Sequence, residues 1–369
     1  MSVHTRSRRI LMTLDAVGGV WRYAMELGEA IKPLGYHTLF VGFGLKPSLA
    51  QTMEAQRIGD LEWLPQPLDW LADDERDLDG IGEAIESLAS DQAIDLIHLN
   101  LPSQAANLSS RRPVVAVSHS CVVTWWQAMR SEPLPSDWLW KKRLNETGFA
   151  NSDAIVAPSE SHAALLRSCY SLPLEVSVIH NAMAADLGGG PKEPFVFAAG
   201  RWWDESKNAR LLDQAARAAA WPIRMAGSTH SPSGQTVELL HAEHLGELSY
   251  GTLLDQVRRA GIVVSPSLYE PFGLLPLEGA RAGAALALAD IPTYRELWED
   301  CALFFAPTEP DALVAVINRY AEDPMVREEM GRRAVRRSQT FTPHNQAAAM
   351  ASLYDFHLAP ARSRRAGGA

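Results

Sequence analysis

Cysteine is scarce: Cys121, Cys169 and Cys301 are the three in 369 residues. An odd, widely spaced set supports neither a disulfide framework nor a zinc site, which fits a reducing compartment and a packing role. Long apolar runs are missing too. Nothing reaches the ~18 residues of a membrane-spanning helix, and Ile10 to Leu14 behind the basic start is too short for a signal peptide. The default compartment is the cytoplasm. Positive charge is in deficit, with 34 Lys and Arg against 44 Asp and Glu and a formal net charge of -10. No general nucleic-acid partner is expected, since that class carries a clustered positive face. The basic clusters Arg6 to Arg9, Lys141 to Arg143 and Arg332 to Arg337 read as solvated faces or tails. No Walker loop, Ser-His-Asp set or zinc-ligand spacing occurs. Asp77-Leu78-Asp79 has Asp-x-Asp form but lies in the acidic run ADDERDLDG, where it reads as solvated.

What the chain does have is apolar content. Hydrophobic residues make up 47% and charged residues only 21%, enough for a large core, and the length suits about two domains at ~100–200 residues each. Short β-rich runs alternate with amphipathic segments. Ile10–Leu14, Thr38–Val41, Ile94–Leu99, Val114–Val117, Ala154–Ala157 and Val176–Ile179 form a first strand series. Val20, Ala24, Leu27 and Ile31 recur at helical spacing after the first. The pattern halts at AMAADLGGGPKEP, a linker by its glycines and prolines. It restarts with Phe195–Ala199, Ile223–Ala226, Ile262–Ser265, Ala285–Ala289 and Ala302–Phe305, with helices around 208–220, 250–260 and 273–283. Buried-type strands separated by helices predict an α/β protein with two doubly wound parallel sheets. The expected division is 1–182, a linker at 183–194, a second domain at 195–342, and a helix at 343–360 packing back on the first. The tail ARSRRAGGA is expected to be disordered. Ligands are expected in a cleft between the domains, at strand C-termini.

The richest stretch is SLYEPFGLLPLEGARAG, where Glu270 and Glu278 flank a Pro-Phe-Gly turn. The backbone N–H groups of Phe272, Gly273 and Leu274 fall at the start of a helix, where unpaired donors and the helix dipole favour an anion. Gly273 would let a phosphate approach without a Cβ in the way. A carboxylate inside the helix suits ribose hydroxyls, and one before it suits hydroxyls beyond the phosphates. In AAGRWWDESKN, Arg201 and Lys207 are placed to reach one pyrophosphate, or else are surface charges in a loop. Together these suggest a nucleotide diphosphate carrying a sugar. With Arg, Lys and a helix end on the phosphates, no divalent metal and no cofactor is required.

The segment from Phe195 to about Thr342 resembles the nucleotide-binding half of the retaining glycosyltransferases of family 4 (group 1), which have the GT-B fold of two Rossmann-like domains. The likeness rests on Glu-x7-Glu at Glu270 and Glu278, on GRWWDESKN, and on ALADIPTYRELWEDCALFFAP. It extends more weakly to VAPSESH and VIHNA. The resemblance implies that Glu270 binds the 3- or 4-hydroxyl of the donor sugar, Arg201 and Lys207 the diphosphate, and Glu278 the ribose. Gly18 and Gly19 of DAVGGVWRY would let their loop approach the donor phosphate and the acceptor. His119 of VAVSHS would sit near the sugar's 6-position, although Ser120 stands where the family more often has Asp or Thr. DAVGGVW itself lacks the third glycine and the acidic partner of a dinucleotide fingerprint.

Retaining transfer with no evident carboxylate nucleophile implies a front-face substitution, in which the leaving phosphate takes the acceptor's proton. Trp125 and Trp126, with Trp138 and Trp140, form an aromatic segment suited to sugar rings or a lipid interface, or to filling a core. Lys141 to Arg143 beside them would meet an anionic headgroup. The acceptor stays open among a glycan, a lipid-linked sugar and a small metabolite, and peripheral contact with the inner membrane face stays open with it. A same-fold phosphorylase, a sugar-nucleotide epimerase and an inactive sugar-nucleotide binder remain alternatives. Base contacts in this fold largely use backbone near segments such as Leu245 to Ser249.

Overall fold

The computed structural model describes residues 7–360 except 189 and 233. Arg6 of the first basic cluster and the ARSRRAGGA tail lie outside the described residues. The chain separates into two compact units, one running to Ala182 and resuming at Pro343, the other covering Met183–Thr342.

The first unit holds strands β1 (Arg8–Asp15), β2 (Tyr36–Phe43), β3 (Asp60–Trp63), β4 (Leu96–Leu99), β5 (Val114–Val117), β6 (Ala154–Ala157) and β7 (Val176–Val178). They form one parallel sheet in the order β3-β2-β1-β4-β5-β6-β7. The second unit holds β8 (Glu193–Ala199), β9 (Ile223–Ala226), β10 (Glu243–Gly246), β11 (Ala260–Ser265), β12 (Ala285–Ala289) and β13 (Leu303–Phe305). Its sheet is also parallel and runs β10-β9-β8-β11-β12-β13. Each order reverses beside its first strand, so each unit is doubly wound and Rossmann-like, with a switch point between β1 and β4 and another between β8 and β11.

Helices cover both faces, which is why central strands read as unbroken apolar runs. In β1, Ile10 and Met12 pack toward the helices Gly19–Ile31 and Pro343–Leu358, whereas Leu11 faces the opposite core with Ile85, Ile97 and Leu99. The edge strands β3 (DLEW) and β10 (EHLG) went unread in the sequence. Each pairs on one side only and alternates or stays partly exposed, so neither needs the apolar run that marks a central strand.

The helix Pro343–Leu358 belongs to the first unit. Met350 and Tyr354 are fully buried there, Tyr36 hydrogen-bonds the Asp355 carboxylate, and Arg8 forms an ion pair with that carboxylate. Among the other basic residues, Arg9 pairs with Asp60 at 3.1 Å, Arg332 and Arg333 with Glu329 at 3.2 and 2.9 Å, and Arg337 Nε donates to the Leu297 carbonyl at 2.8 Å. Cys121 does more than pack. Its Sγ accepts the Thr124 N–H at 3.4 Å as a helix cap and lies 3.0 Å from the Tyr170 hydroxyl. Asp77 accepts the Asp74 N–H at 3.0 Å, a local cap.

Candidate functional site

In the second unit the loops leaving β8 and β11 are tied together. Asn208 sits in a left-handed conformation (φ 57°) and its Nδ2 donates to the Pro266 carbonyl at 3.1 Å and the Pro307 carbonyl at 2.8 Å. The Leu268 N–H donates to the Ser206 carbonyl at 2.8 Å. Trp202, 2% exposed, anchors the loop by donating from Nε1 to the Ala226 carbonyl at 2.8 Å. On this frame Lys207 Nζ lies 2.5 Å from Glu270 Oε2. Arg201 Nη2 is 3.3 Å from Asp204 Oδ2, and its guanidinium lies 5.4 Å from the Trp203 ring centroid. Asp204 accepts from the N–H (3.0 Å) and hydroxyl (2.7 Å) of Ser206. Burial alone would raise its pKa, but the charges of Lys207 and Arg201 and the Ser206 bonds outweigh that and hold it below the ordinary value.

The turn after β11 leads into the helix Leu274–Arg281, capped at its start by Gly273 (φ 88°, ψ 90°) with no side-chain hydrogen bond. A Cβ on Gly273 would lie 2.9 Å from Tyr294 Cε1. The glycine therefore answers an internal demand, a positive φ beneath a tyrosine ring, whatever approaches from outside. Tyr294 is fully buried, hydrogen-bonds Ser265, and has its hydroxyl pKa raised by burial and by Glu270. Glu278 lies inside the helix and is 7% exposed, and Phe272 is in the core. The segment from Leu245 begins at the end of β10, where the Gly246 carbonyl accepts the Gly227 N–H at 2.8 Å.

In the first unit, three loops leave adjacent strand ends. After β1, Asp15 Oδ1 accepts the Val17 N–H at 2.7 Å and Gly18 (φ 94°) opens the helix Gly19–Ile31, with both glycines exposed. After β4 comes Asn100, and after β5 come Ser118 and His119. His119 Nε2 lies 2.8 Å from Asn100 Oδ1, and its ring meets Tyr23 edge-on at 4.3 Å. Burial, then the neighbouring His98 and His162, push the His119 pKa down to about 3, so the imidazole is neutral at pH 7. Ser118 and His162 are fully buried against each other at 3.0 Å and are enclosed structure rather than a nucleophile and base.

The aromatic segment is half-buried, neither core nor open face. Trp126 and Trp138 meet edge-on at 5.3 Å, Trp126 Nε1 donates to the Glu132 carbonyl at 2.9 Å, and Arg130 lies over Trp125 (5.1 Å) and Trp126 (5.7 Å). Lys141 corrects an expectation. Rather than facing a headgroup it is 7% exposed, and its ammonium donates to the carbonyls of Asp69 (2.7 Å) and Ala72 (2.9 Å), bolting that loop to the helix Leu139–Ala150. Arg143 pairs with Glu75 at 3.1 Å.

Sequence reasoning missed Asp204, Asn208 and Asn100. For Asn100 the available signal was a polar residue immediately beyond a buried strand, whereas Asp204 and Asn208 lie further along the loop after β8 and had no such mark. Among the described residues no group of three or more His, Cys, Asp or Glu side chains could hold a metal, and no helix is long and apolar enough to cross a membrane.

Residues 17–187 match the family described as Glycosyltransferase Family 4, and residues 192–337 the family described as Glycosyl transferases group 1. A glycogen synthase of Mycobacterium tuberculosis is 33% identical over 124 residues, 33% of this chain and 29% of that protein. A D-inositol 3-phosphate glycosyltransferase of Streptomyces avermitilis is 31% identical over 114 residues, 30% of this chain and 25% of that protein. The chain thus matches less than a third of the length of either curated relative. Over most of its length it shares a fold with sucrose-phosphate synthase from Thermosynechococcus elongatus (TM-score 0.75, 19% identity, covering 94% of this chain and 98% of that one). It also shares it with Anabaena HepE in complex with UDP-glucose (TM-score 0.74, 18% identity, 94% and 98%).

Proposed function

The chain belongs to the group 1 glycosyltransferases of GT-B fold, and on that premise we propose that it moves a sugar, with retention, from a nucleoside diphosphate sugar to a hydroxyl acceptor. The observation that carries this reading is the convergence of Arg201, Lys207, Glu270 and the helix start at Leu274 on loops that follow β8 and β11. Strand C-termini at a switch point are where such sheets bind nucleotides. A UDP-sugar is bound in HepE, which shares the fold.

Arg201 and Lys207 neutralise the departing diphosphate, and the dipole at the start of the helix Leu274–Arg281 adds to them. Glu270, already holding the Lys207 ammonium at 2.5 Å, shares it with a phosphate oxygen and accepts from a sugar hydroxyl. Glu278 accepts from the ribose. Since Glu270 is engaged with a cation, a front-face course is favoured over a covalent one. The anomeric C–O bond to the diphosphate breaks, the bond to the acceptor oxygen forms on the same face, and the acceptor's proton passes to the leaving phosphate. Two cations on the diphosphate make the reaction metal-independent. In the first unit, His119 offers a neutral imidazole to a substrate hydroxyl. The enzyme acts in the cytoplasm, and its acceptor is a glycan, a lipid-linked sugar or a small molecule.

The test is thermal stabilisation by UDP-, GDP-, ADP- and dTDP-sugars with EDTA present, followed by transfer to candidate acceptors. One nucleotide class at a hundred times its Kd should add about 2.7 kcal/mol of stability. Arg201→Ala should weaken its binding roughly 10- to 100-fold, as loss of a charge-assisted bond requires. Stabilisation by none of the donors, or a product of inverted anomeric configuration, overturns the reading.

A further inference from the structure

Asn100 is 1% exposed and makes hydrogen bonds that fix its orientation. Its backbone N–H donates to Thr13 Oγ1 at 2.9 Å, and its side-chain Nδ2 donates to the Thr13 carbonyl at 2.6 Å. A carbonyl oxygen only accepts, so the nitrogen of the amide must face Thr13 and Oδ1 must face the other way. That oxygen lies 2.8 Å from His119 Nε2 and 3.1 Å from His98 Nε2. It too can only accept. Both imidazoles therefore carry a proton on Nε2.

The other ring nitrogens follow. His98 Nδ1, bare in the neutral ring, accepts the hydroxyl of Tyr354 at 2.6 Å, and Tyr354 comes from the helix Pro343–Leu358. His119 Nδ1 is equally bare, and no group among the described residues bonds to it. The titratable groups facing His119 are Tyr23 from the helix Gly19–Ile31, His98 from β4 and His162 from the helix Glu160–Cys169. None of these three is a carboxylate that would favour an imidazolium.

We propose that Asn100, backed by His98 and Tyr354, is a positioning residue that locks His119 in its Nε2–H tautomer, so that Nδ1 presents a lone pair to a substrate hydroxyl. The substrate half of this proposal rests on the glycosyl-transfer reading; the tautomer half does not. A neutral acceptor nitrogen selects a hydroxyl or N–H donor and offers nothing to a phosphate or carboxylate oxygen. The low His119 pKa agrees, since it keeps the ring from serving as a proton donor at neutral pH. Three hydrogen bonds in series thus run from the helix Pro343–Leu358 to His119.

The experiment is nitrogen NMR of the full-length protein carrying isotope-labelled histidine, with the His119 signals assigned by His119→Gln. In the wild type at neutral pH, His119 should show a protonated Nε2 and a bare Nδ1. Asn100→Asp places a carboxylate within hydrogen-bond reach of both rings, which favours the charged form. It should raise the proton affinity of His119 at least ~10-fold, read as an upward shift of the His119 titration midpoint, with Nε2 still carrying the proton of the neutral ring. On acidification kcat/KM for the sugar nucleotide should fall at a correspondingly higher pH than in the wild type, because a protonated Nδ1 no longer accepts a hydroxyl. Tyr354→Phe removes only the donor to His98 Nδ1; since Asn100 Oδ1 still takes the Nε2 proton of both rings, His98 and His119 should both keep that tautomer, with the His98 Nδ1 signal alone moving as its hydrogen bond is lost. A wild-type His119 protonated on Nδ1 overturns the proposal, as does an Asn100→Asp variant whose His119 titration does not move. Should Asn100→Asp fail to fold, a Tyr354→Phe variant in which either ring carries its proton on Nδ1 overturns it instead. A kcat/KM–pH profile that stays put while the His119 titration shifts sinks the substrate half. Absence of any sugar transfer would defeat the proposed function while leaving the tautomer signals readable.

Discussion

Lys207 and Glu270 are each less than one-fifth exposed and are held 2.5 Å apart. A pair this enclosed is costly to break one-sidedly, because the survivor keeps its charge and loses its partner. Glu270→Ala should therefore lower stability by about 1–3 kcal/mol, and adding Lys207→Met should recover part of that loss, as urea unfolding of the two single variants and the double would reveal. Asp213 poses the same question for a carboxylate bonded to backbone. Its Oδ1 accepts the N–H groups of Leu240, His241 and Ala242 at 3.0, 2.8 and 2.9 Å. Burial would raise its pKa, but the three N–H bonds win and depress it. A depressed folded value contributes stability that is present above the unfolded pKa, and is lost as pH falls through the folded one. Asp213→Ala should cost about 1–3 kcal/mol at pH 7. The gap from wild type should shrink on acidification below pH ~4, the ordinary carboxylate range, and a gap that is flat with pH would contradict the assignment.

At the scale of elements, the fold was legible wherever burial forced the sequence to one composition. The runs at 114–117, 154–157, 223–226 and 285–289 coincide with β5, β6, β9 and β12 because a strand covered on both faces has no alternative to apolar residues. β3 and β10 left no such trace. Of the candidate site, the cations and carboxylates of the loops after β8 and β11 could be picked out by residue type and spacing. The partners they take could not: the engagement of Lys207 with Glu270, the bolting of Lys141 to two carbonyls, and the turning of His119 to Asn100 all depend on residues from separate segments of the chain. Close packing was equally hidden. Gly148 of the helix Leu139–Ala150 is buried, and a Cβ there would stand 1.9 Å from the Pro102 carbonyl oxygen. Gly148→Ala must push the helix off that segment, and a loss of more than about 2 kcal/mol is expected, within the range for overpacking a buried contact. An unchanged urea midpoint would show that the helix can slide.

At the scale of the molecule, one unit is contiguous in sequence and the other is completed by the chain's return at Pro343. Removing everything after Thr342 strips the first unit of the buried Ala347, Met350 and Tyr354 and leaves Tyr36 without its carboxylate partner. Two unfolding transitions are expected of such a truncation. That of the first unit should move to clearly lower urea, and that of Met183–Thr342 should stay where it is. A common shift of both would mean that the helix supports the two alike.

The same connectivity reverses the order in which the halves mature on the ribosome. The second unit has all of its residues once Thr342 has been added, whereas the first, begun earliest, must wait for the helix Pro343–Leu358. Until then the nascent first unit exposes the apolar face that this helix covers, and Tyr354 cannot reach His98. The hydrogen bond from Tyr354 to His98 is therefore made only after the second unit has all of its residues.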